Sequence, residues 1–272
     1  AVVDLSRAAY EALHTRIETP FSVTDGASVL NGFTAADEVV VTATADGVDL
    51  TGLNLSGVDA IDLDGLQSVK LDVSQAAKAS NGGYQIEDAP SALMGEIDAD
   101  GPVSATVDAA SSVMTDDGSV LTLTIAQYKA LVDEDTTLTS PYRIADTAEH
   151  IEGEISGDGL GVLANATSVE SLGGVSLTLS VTEAKALHAT GKYAGDYAIA
   201  DSASAIEAEA GLPGSGLLGN DAVVVSITAD AVVDLSRAAY EALHTRIETP
   251  FSVTDGASVL NGFTAADEVV VT

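Results

Sequence analysis

The sequence lacks cysteine and tryptophan and contains few basic or aromatic residues. Its 272 residues include 10 lysines and arginines against 42 aspartates and glutamates, and only 4% are aromatic. The absence of cysteine excludes disulfides, thiolate zinc sites and iron–sulfur clusters. No apolar run approaches the roughly 18 residues that a membrane-spanning helix needs. The chain starts without a methionine or a signal-like segment, so we expect it to be a piece cut from a longer protein.

The excess of acidic residues gives a net charge of −32 at pH 7. Such a surface repels nucleic acid and anionic membranes, keeps a long polymer soluble and offers carboxylates to divalent cations. Adaptation to high salt would produce the same balance. Apolar residues make up 46% of the chain, which is too many for a disordered acidic tail. Most are small or β-branched, and such side chains suit thin stacked layers.

The most informative feature is a perfect internal repeat. The segment from Ala1 to Thr42 recurs unchanged from Ala231 to Thr272, so the period is 230 residues. Identity over such a length indicates recent duplication or continuing homogenisation between copies. An active site rarely needs to be copied in series, whereas a long structural protein is readily built by copying one segment. We therefore expect residues 1–230 to be one full repeat and residues 231–272 to be the start of the next.

A weaker repeat divides the 230 residues into four subrepeats. Each contains a short Ala-rich amphipathic stretch and then a segment of the form Y/F-x-φ-x-D, where φ is apolar, as in FSVTD, YQIED, YRIAD and YAIAD. Periods of this order are typical of solenoids or strings of small domains. The predicted subrepeats are 1–68, 69–119, 120–174 and 175–230.

Each subrepeat predicts two short capped helices. Serine or threonine before the Ala-rich stretch, and aspartate at the end of the Y/F-x-φ-x-D strand, stand where N-caps belong. Thr124 with Gln127, and Ser180 with Glu183, fit the capping box. The predicted structural caps are Ser6, Asp25, Ser74, Asp88, Thr124, Asp146, Ser180 and Asp201.

Short alternating segments fill the rest of each subrepeat. Examples are EVVVTAT at 38, VSATVDA at 103 and VVVSIT at 223, and the triplets VDL, LNL, IDL and VKL follow one another between residues 48 and 73. Such a ladder predicts a repeat solenoid, mainly β with short helices, as a parallel β-solenoid or leucine-rich-like coil. The alternative is a string of β-sandwich domains. Because no Gly/Ser-rich or Pro-rich linker separates the subrepeats, we expect them to share one continuous core.

Three strings within residues 120–206, YRIADTAEHI, YAIADSASAI and VSLTLSVTEAKAL, resemble a repeat of very large bacterial surface and secreted proteins. That repeat has the general form SLTLT-x-x-Q-A followed by Y-x-I-x-D-T-A-x-x-I, and residues 1–68 depart from it by insertion. The resemblance implies a giant repetitive adhesin, an S-layer-like protein or an extracellular fibre protein, often exported by type I secretion. It carries no catalytic residues to this chain.

Paired aspartates beside glycine are the best candidate metal ligands, ahead of the recurring Asp25, Asp88, Asp146 and Asp201, which helix capping explains. Asp98 and Asp100 precede Gly101, and Asp116 and Asp117 precede Gly118. Such carboxylates can bind calcium, but Asp-Gly is also ordinary turn chemistry, which is the simpler interpretation. Asp62 and Asp64 alternate along one strand, and a solvated face explains them. No cofactor is required, and calcium is the only candidate.

These patterns favour a non-enzymatic structural repeat of an extracellular bacterial surface protein, acting as a shaft or fibre body. Its expected partners are neighbouring copies of the repeat, in the same chain or in a polymer, without nucleic acid or membrane insertion. The alternative is a repetitive binding module that presents a face to glycan or another surface. A carbohydrate-active enzyme is the remote alternative, because carboxylates are abundant but no tryptophan platform for sugar is present.

Overall fold

A computed structural model describes residues 3–16, 21–34, 38–43, 45–98, 102–132, 136–157, 160–213, 216–220, 222–228, 232–247, 251–261, 263 and 268–271. The chain divides into two compact units, Ala1–Tyr142 and Arg143–Thr272. The division falls inside the third predicted subrepeat. Each unit combines short strands with short helices.

The first unit alternates strands with helices from its start. Its strands are β1 (Val3–Leu5), β2 (Phe21–Gly26), β3 (Glu38–Thr42), β4 (Ala60–Asp62), β5 (Lys70–Leu71), β6 (Gln85–Asp88), β7 (Ser112–Thr115), β8 (Leu121–Leu123) and β9 (Thr137–Leu138). Its α-helices are α1 (Arg7–Leu13), α2 (Ala27–Leu30), α3 (Val73–Ala76), α4 (Pro90–Gly95), α5 (Ala105–Asp108) and α6 (Ile125–Leu131). A 3-10 turn, His14–Arg16, extends α1.

The second unit repeats this alternation with longer helices. Its strands are β10 (Tyr142–Asp146), which begins at the last residue of the first unit, β11 (Val169–Ser171), β12 (Leu177–Leu179), β13 (Tyr197–Asp201), β14 (Ala222–Ile227), β15 (Val233–Leu235), β16 (Phe251–Asp255) and β17 (Glu268–Val271). Its α-helices are α7 (Ala148–Gly157), α8 (Gly161–Asn165), α9 (Val181–Thr190), α10 (Ala203–Ala210), α11 (Gly216–Asn220) and α12 (Arg237–Leu243). A 3-10 turn, Leu172–Gly174, follows β11.

The strands of each sheet lie side by side in chain order and run parallel. In the first unit, β1 to β4 form one sheet, and β5, β6, β7 and β9 form another. In the second unit, β10 pairs with β11, β12 to β14 form a sheet, and β15 to β17 form another. Because parallel neighbours need a crossover connection, most adjacent strands are joined through one or two helices.

Aligned rows of aliphatic side chains form the core of the sheets. In the first sheet Val23 is in register with Val39, and both are fully buried, with 0% exposure. In the second unit Ile199 and Val225 are likewise paired and fully buried. The residues on either side of these pairs point to the opposite face of the sheet, because successive side chains of a strand alternate between its two faces. Comparable rows contain Leu71, Ile86 and Val113, and Leu235 and Val253.

The observed class is mixed α/β, and the described residues form several short parallel sheets and twelve α-helices. The prediction of a mainly β chain is therefore wrong in its proportions, because the segments between strands form more helices than expected. The parallel pairing of the described strands argues against antiparallel sandwiches. No helix of the described residues is long and apolar enough to cross a membrane.

Two predicted strand segments differ in the structure. The segment VSATVDA at 103 contains helix α5, because the Ser104 hydroxyl accepts the Val107 N–H and starts a helical turn. Of the four triplets between 48 and 73, IDL overlaps strand β4, VKL contains strand β5, and Asp49 of VDL forms a single bridge with Lys70. The LNL triplet forms no strand.

Candidate functional site: repeated aspartates and acidic turns

The last aspartate of each Y/F-x-φ-x-D segment accepts the N–H of the next residue, and in several segments it also accepts the first N–H of an earlier helix. We call these residues the junction aspartates: Asp25, Asp88, Asp146, Asp201 and Asp255. In Asp88, Oδ1 accepts the N–H of the next residue, Ala89, at 2.7 Å, and Oδ2 accepts the N–H of Val73 at 2.9 Å. Val73 is the first residue of α3, and Ala89 directly precedes α4. One carboxylate therefore holds both helix starts.

The same two hydrogen bonds recur along the chain. Oδ1 accepts the following N–H at 2.6–2.9 Å in all five junction aspartates. In three of them Oδ2 also accepts the first N–H of the helix before the strand. The donors are Arg7 of α1 at 3.2 Å, Val181 of α9 at 2.9 Å and Arg237 of α12 at 3.4 Å. The N-cap side chain reaches only the second or third N–H of a helix. The aspartate supplies the acceptor that the first N–H otherwise lacks.

The junction aspartates are not the N-caps of the second helices, contrary to the prediction. The caps lie one residue later: Gly26 before α2, Ala89 before α4 and Ser202 before α10. The Ser202 hydroxyl accepts the Ala205 N–H at 3.3 Å. Asp25, Asp88 and Asp201 instead direct their two oxygens to the next N–H and to the first N–H of an earlier helix. At Asp146, Oδ1 also lies 2.8 Å from His150 Nδ1.

The first helices are capped largely where the sequence indicates. Ser6 accepts the Ala9 N–H, and Thr124 and Ser180 form reciprocal capping boxes with Gln127 and Glu183. In the second subrepeat the cap is different. There Asp72 accepts the Gln75 N–H at 2.8 Å and forms the capping box.

The prediction of Ser74 as a cap is therefore wrong by two residues. Ser74 lies inside α3, where its hydroxyl donates to Asp72 Oδ1 at 2.7 Å.

The first pair of calcium candidates is only partly described. Asp98 is exposed, and its N–H donates to the Pro102 carbonyl at 2.8 Å. The Asp98 carbonyl accepts the side-chain amide of Gln127 at 3.1 Å. Asp100 lies outside the described residues. Asp98 belongs to no group of three or more described histidine, aspartate or glutamate side chains that could hold a metal ion.

The second pair of candidates lies on a tight turn. Asp117 Oδ1 accepts the Ser119 N–H at 2.8 Å, and Gly118 has a positive φ of 68°, which glycine adopts without strain. The neighbouring Asp116 donates its N–H to the Asp88 carbonyl at 3.1 Å. Turn chemistry explains the aspartates at this position, and it also places Asp116 beside a junction aspartate.

Asp116 borders an acidic cleft of 410 Å³ in the first unit. Three of its carboxylates already accept hydrogen bonds: Glu87 from Lys70 Nζ at 2.6 Å, Asp72 from its cap partners, and Asp88 as described above. The contact with Glu87 raises the pKa of Lys70, first through the hydrogen bond and then through the opposite charge. The cleft is lined by Thr51, Asp72, Ser74, Glu87, Asp88 and Asp116.

A neighbouring carboxylate is also engaged. The Thr51 hydroxyl donates to Asp49 Oδ1 at 2.7 Å and lowers the pKa of Asp49. Among the described residues, no group of three or more histidine, aspartate or glutamate side chains is arranged to hold a metal ion.

Successive subrepeats share a second set of contacts, which the sequence analysis missed. Glu152 of α7 accepts the Thr178 N–H of the next subrepeat, and Glu207 of α10 accepts the Asp234 N–H at 2.7 Å. Both glutamates follow their junction aspartate by six residues. This common spacing was the available signal.

Backbone bridges accompany these contacts. Val169 pairs with Tyr193, and Val225 pairs with Ile247, each as an isolated parallel bridge. The Val169 N–H donates to the Lys192 carbonyl at 2.9 Å, and the Val225 N–H donates to the Arg246 carbonyl at 2.8 Å. In the first unit Ile61 pairs with Ala79 in the same way. The residue before the bridge is basic in all three cases.

The second unit also has a groove of 460 Å³ between the segment around β11 and the residues that follow α9. Its lining includes Glu170, Ser171, Lys192, Tyr193 and Asp196. The Tyr193 hydroxyl donates to the Asp196 carbonyl at 3.1 Å. Burial raises the pKa of Tyr193, with the nearby acidic charges acting in the same direction.

No known protein family, curated protein or solved structure matches the chain.

Proposed function

We propose that this chain is a non-enzymatic structural repeat of a very large extracellular surface protein of bacterial type, serving as a shaft or fibre body. The observation that carries the proposal is that the same contact joins two successive pairs of subrepeats. The link from Glu152 to Thr178 within one long repeat recurs from Glu207 to Asp234, where one long repeat meets the next. Units that join in one repeated way can extend a chain without limit.

The parallel sheets support a solenoid as the form of this extension. Strands follow one another in chain order within each sheet, and single bridges such as Val225 to Ile247 connect one sheet with the next subrepeat. In such a stack each unit covers the exposed end of its neighbour, so that every added unit contributes a similar stabilisation. The high negative charge repels neighbouring shafts and keeps them apart in solution.

The proposed location is the bacterial cell surface or the extracellular medium. The resemblance to repeats of large surface and secreted proteins supports it, and so does the absence of cysteine. The proposed partners are further copies of the same repeat, with neither nucleic acid nor membrane lipid.

A second candidate function is ligand binding in the groove of the second unit. Ser171 favours it, because its hydroxyl is buried in the groove wall and no protein hydrogen bond to it is described. Screening the protein on a glycan array would detect such binding. Binding that is lost in Ser171→Ala would favour this candidate over the structural role.

Small-angle X-ray scattering tests the structural proposal. The lengthened chain is this chain with one further 230-residue repeat placed before Ala1. A compact globule of that size would have a radius of gyration of about 23 Å. We expect a clearly larger value and a rod-like scattering profile whose length grows in proportion to the added repeat. A radius near that of the globule would contradict the proposal, and this 272-residue chain is the control.

A further inference from the structure

Two stretches of this chain have identical sequences and different surroundings. Leu13 has 40% of its surface exposed, whereas its copy Leu243 has 0%. Ala9 is half-buried, whereas Ala239 is 3% exposed. The difference cannot arise from sequence, because residues 1–42 and 231–272 are the same. It must therefore arise from what packs against each copy.

The second copy is covered by the end of the preceding repeat. We call α10, α11 and β14 the covering segment. Helix α10 packs against β15, and α11 packs against α12. The Arg246 guanidinium donates from Nη1 to the carbonyls of Leu218 at 3.0 Å and Gly219 at 3.1 Å. These carbonyls lie near the C-terminal end of α11, where intrahelical partners are lacking.

The corresponding residues of the first copy are uncovered to different degrees. Leu5 is half-buried, whereas its copy Leu235 is 2% exposed. Arg16 is exposed, whereas its copy Arg246 is half-buried. We call Leu5, Ala9, Leu13 and Arg16 the receiving face. It combines an apolar patch with one guanidinium, and these are the features that bind the covering segment in the second copy.

We propose that the receiving face binds the covering segment of a second copy of this repeat. The inference rests on the proposed structural function and names the two surfaces that meet. Burial of leucine and alanine side chains supplies the apolar part of the contact. Arg16 supplies the polar part by donating to the free carbonyls of α11. In this chain the covering segment already holds its own second copy, so it is occupied.

The contact has a direction. Ala27 is 9% exposed in the first copy, where the chain continues into β4, whereas Ala257 is exposed in the second copy. Each copy therefore has one face for the repeat before it and another for the repeat after it. A contact between two different faces leads to an open-ended series of units, whereas one between two like faces closes as a dimer.

Single introduced thiols test the contact, because the chain contains no cysteine. We compare the labelling rates of Leu13→Cys and Leu243→Cys in this chain and in the lengthened chain, both in the native numbering. In this chain the thiol at position 13 should react at least about tenfold faster than the one at 243. In the lengthened chain, position 13 follows a complete repeat, and its rate should fall to that of position 243.

An unchanged labelling rate at position 13 in the lengthened chain would overturn the inference. So would protection at position 13 in this chain that increases with protein concentration, because two receiving faces would then be packing together. Scattering from the same lengthened chain gives its length independently. A rod with a reactive thiol at 13 would refute the proposed contact and leave the structural function standing.

A gentler pair of variants guards against misfolding. Ala9→Cys and Ala239→Cys add a single sulfur each, and the same order of rates is expected. Arg16→Ala and Arg246→Ala form a third pair. We expect Arg246→Ala to increase the labelling rate of Ala239→Cys in this chain, whereas Arg16→Ala leaves it unchanged. Equal effects of the two arginine variants would contradict a role for the guanidinium in the contact.

Discussion

Aspartate has the shortest side chain that presents two acceptor oxygens to neighbouring N–H groups. In Asp201 one oxygen receives the Ser202 N–H at 2.6 Å, and the other receives the Val181 N–H at 2.9 Å. Asparagine would keep one acceptor but would turn an NH₂ group toward the second N–H. Glutamate would carry its carboxylate too far from the adjacent backbone. This geometry explains the recurrence of aspartate at these positions.

We expect Asp88→Asn to destabilise the protein by about 1–3 kcal/mol, because one helix-start N–H loses its acceptor. Urea unfolding followed by circular dichroism measures the change. Asp108→Asn is the control, since Asp108 is an exposed aspartate of the same unit. The control should stay within about 0.5 kcal/mol of the unchanged protein. Equal stability of the two variants would show that the double hydrogen bond contributes little.

The recurrence of this residue could be predicted from the sequence, but its role could not. An N-cap is a local pattern, and the sequence places the aspartate beside a helix start. Its second partner lies well upstream, as with Arg7 and Asp25, which are 18 residues apart. Only the pairing of β1 with β2 brings those two residues together.

The helices are short, so their ends decide whether they form. Helix α3 has 4 residues and α9 has 10, and isolated helices of such length are marginal in water. Caps and packing against the sheets must supply the missing stability. Helix α9 has both a capping box at Ser180 and Glu183 and a C-cap glycine, Gly191, in the left-handed conformation.

We expect Ser180→Ala to lower the stability of the protein by about 1 kcal/mol, because the Glu183 N–H loses its acceptor. Thr182→Ala is the matched control, since Thr182 is an exposed residue of the same helix turn. Thermal unfolding of both variants, followed at the helical signal, measures the difference. If the control loses as much stability as Ser180→Ala, the cap is not the cause.

Elements with a local signature were easier to predict than those without one. Strands β3 and β14 lie in the apolar segments EVVVTAT and VVVSIT, and the starts of α6 and α9 lie at capping boxes. Helix α5 was missed, because its alternating residues resemble a strand and only the Ser104 cap identifies it. The cap of α3 was misplaced, because Asp72 and Ser74 are both good cap residues and tertiary packing selects between them.

At the scale of the whole chain, the main feature is the excess of negative charge. A net charge of −32 makes the folded state self-repelling, and dissolved salt screens this repulsion. Many carboxylates already accept N–H groups, as at the junction aspartates, so repulsion is offset locally. Specific cation sites would add to the general effect of screening.

We propose calcium binding at Asp98 and Asp100, or at Asp116 and Asp117, and melting curves test it. Binding to the native state alone raises the melting temperature. We expect a higher melting temperature with millimolar calcium than with chelator, at a sodium chloride concentration that matches the ionic strength. Asp117→Asn should reduce the difference if the second pair binds. Equal curves would remove calcium from the proposal and leave the structural function intact.

The recurring glutamate contact has a consequence for how the gene can change. Glu152 and Glu207 receive equivalent N–H groups from the strands that follow them. If residues 177–232 were deleted, β15 would take the place of β12 after β11, and Glu152 would meet the Asp234 N–H in place of Thr178. Unequal recombination that removes or duplicates this fourth subrepeat would thus leave the joint at Glu152 chemically matched, so that alleles of different length keep the same contact.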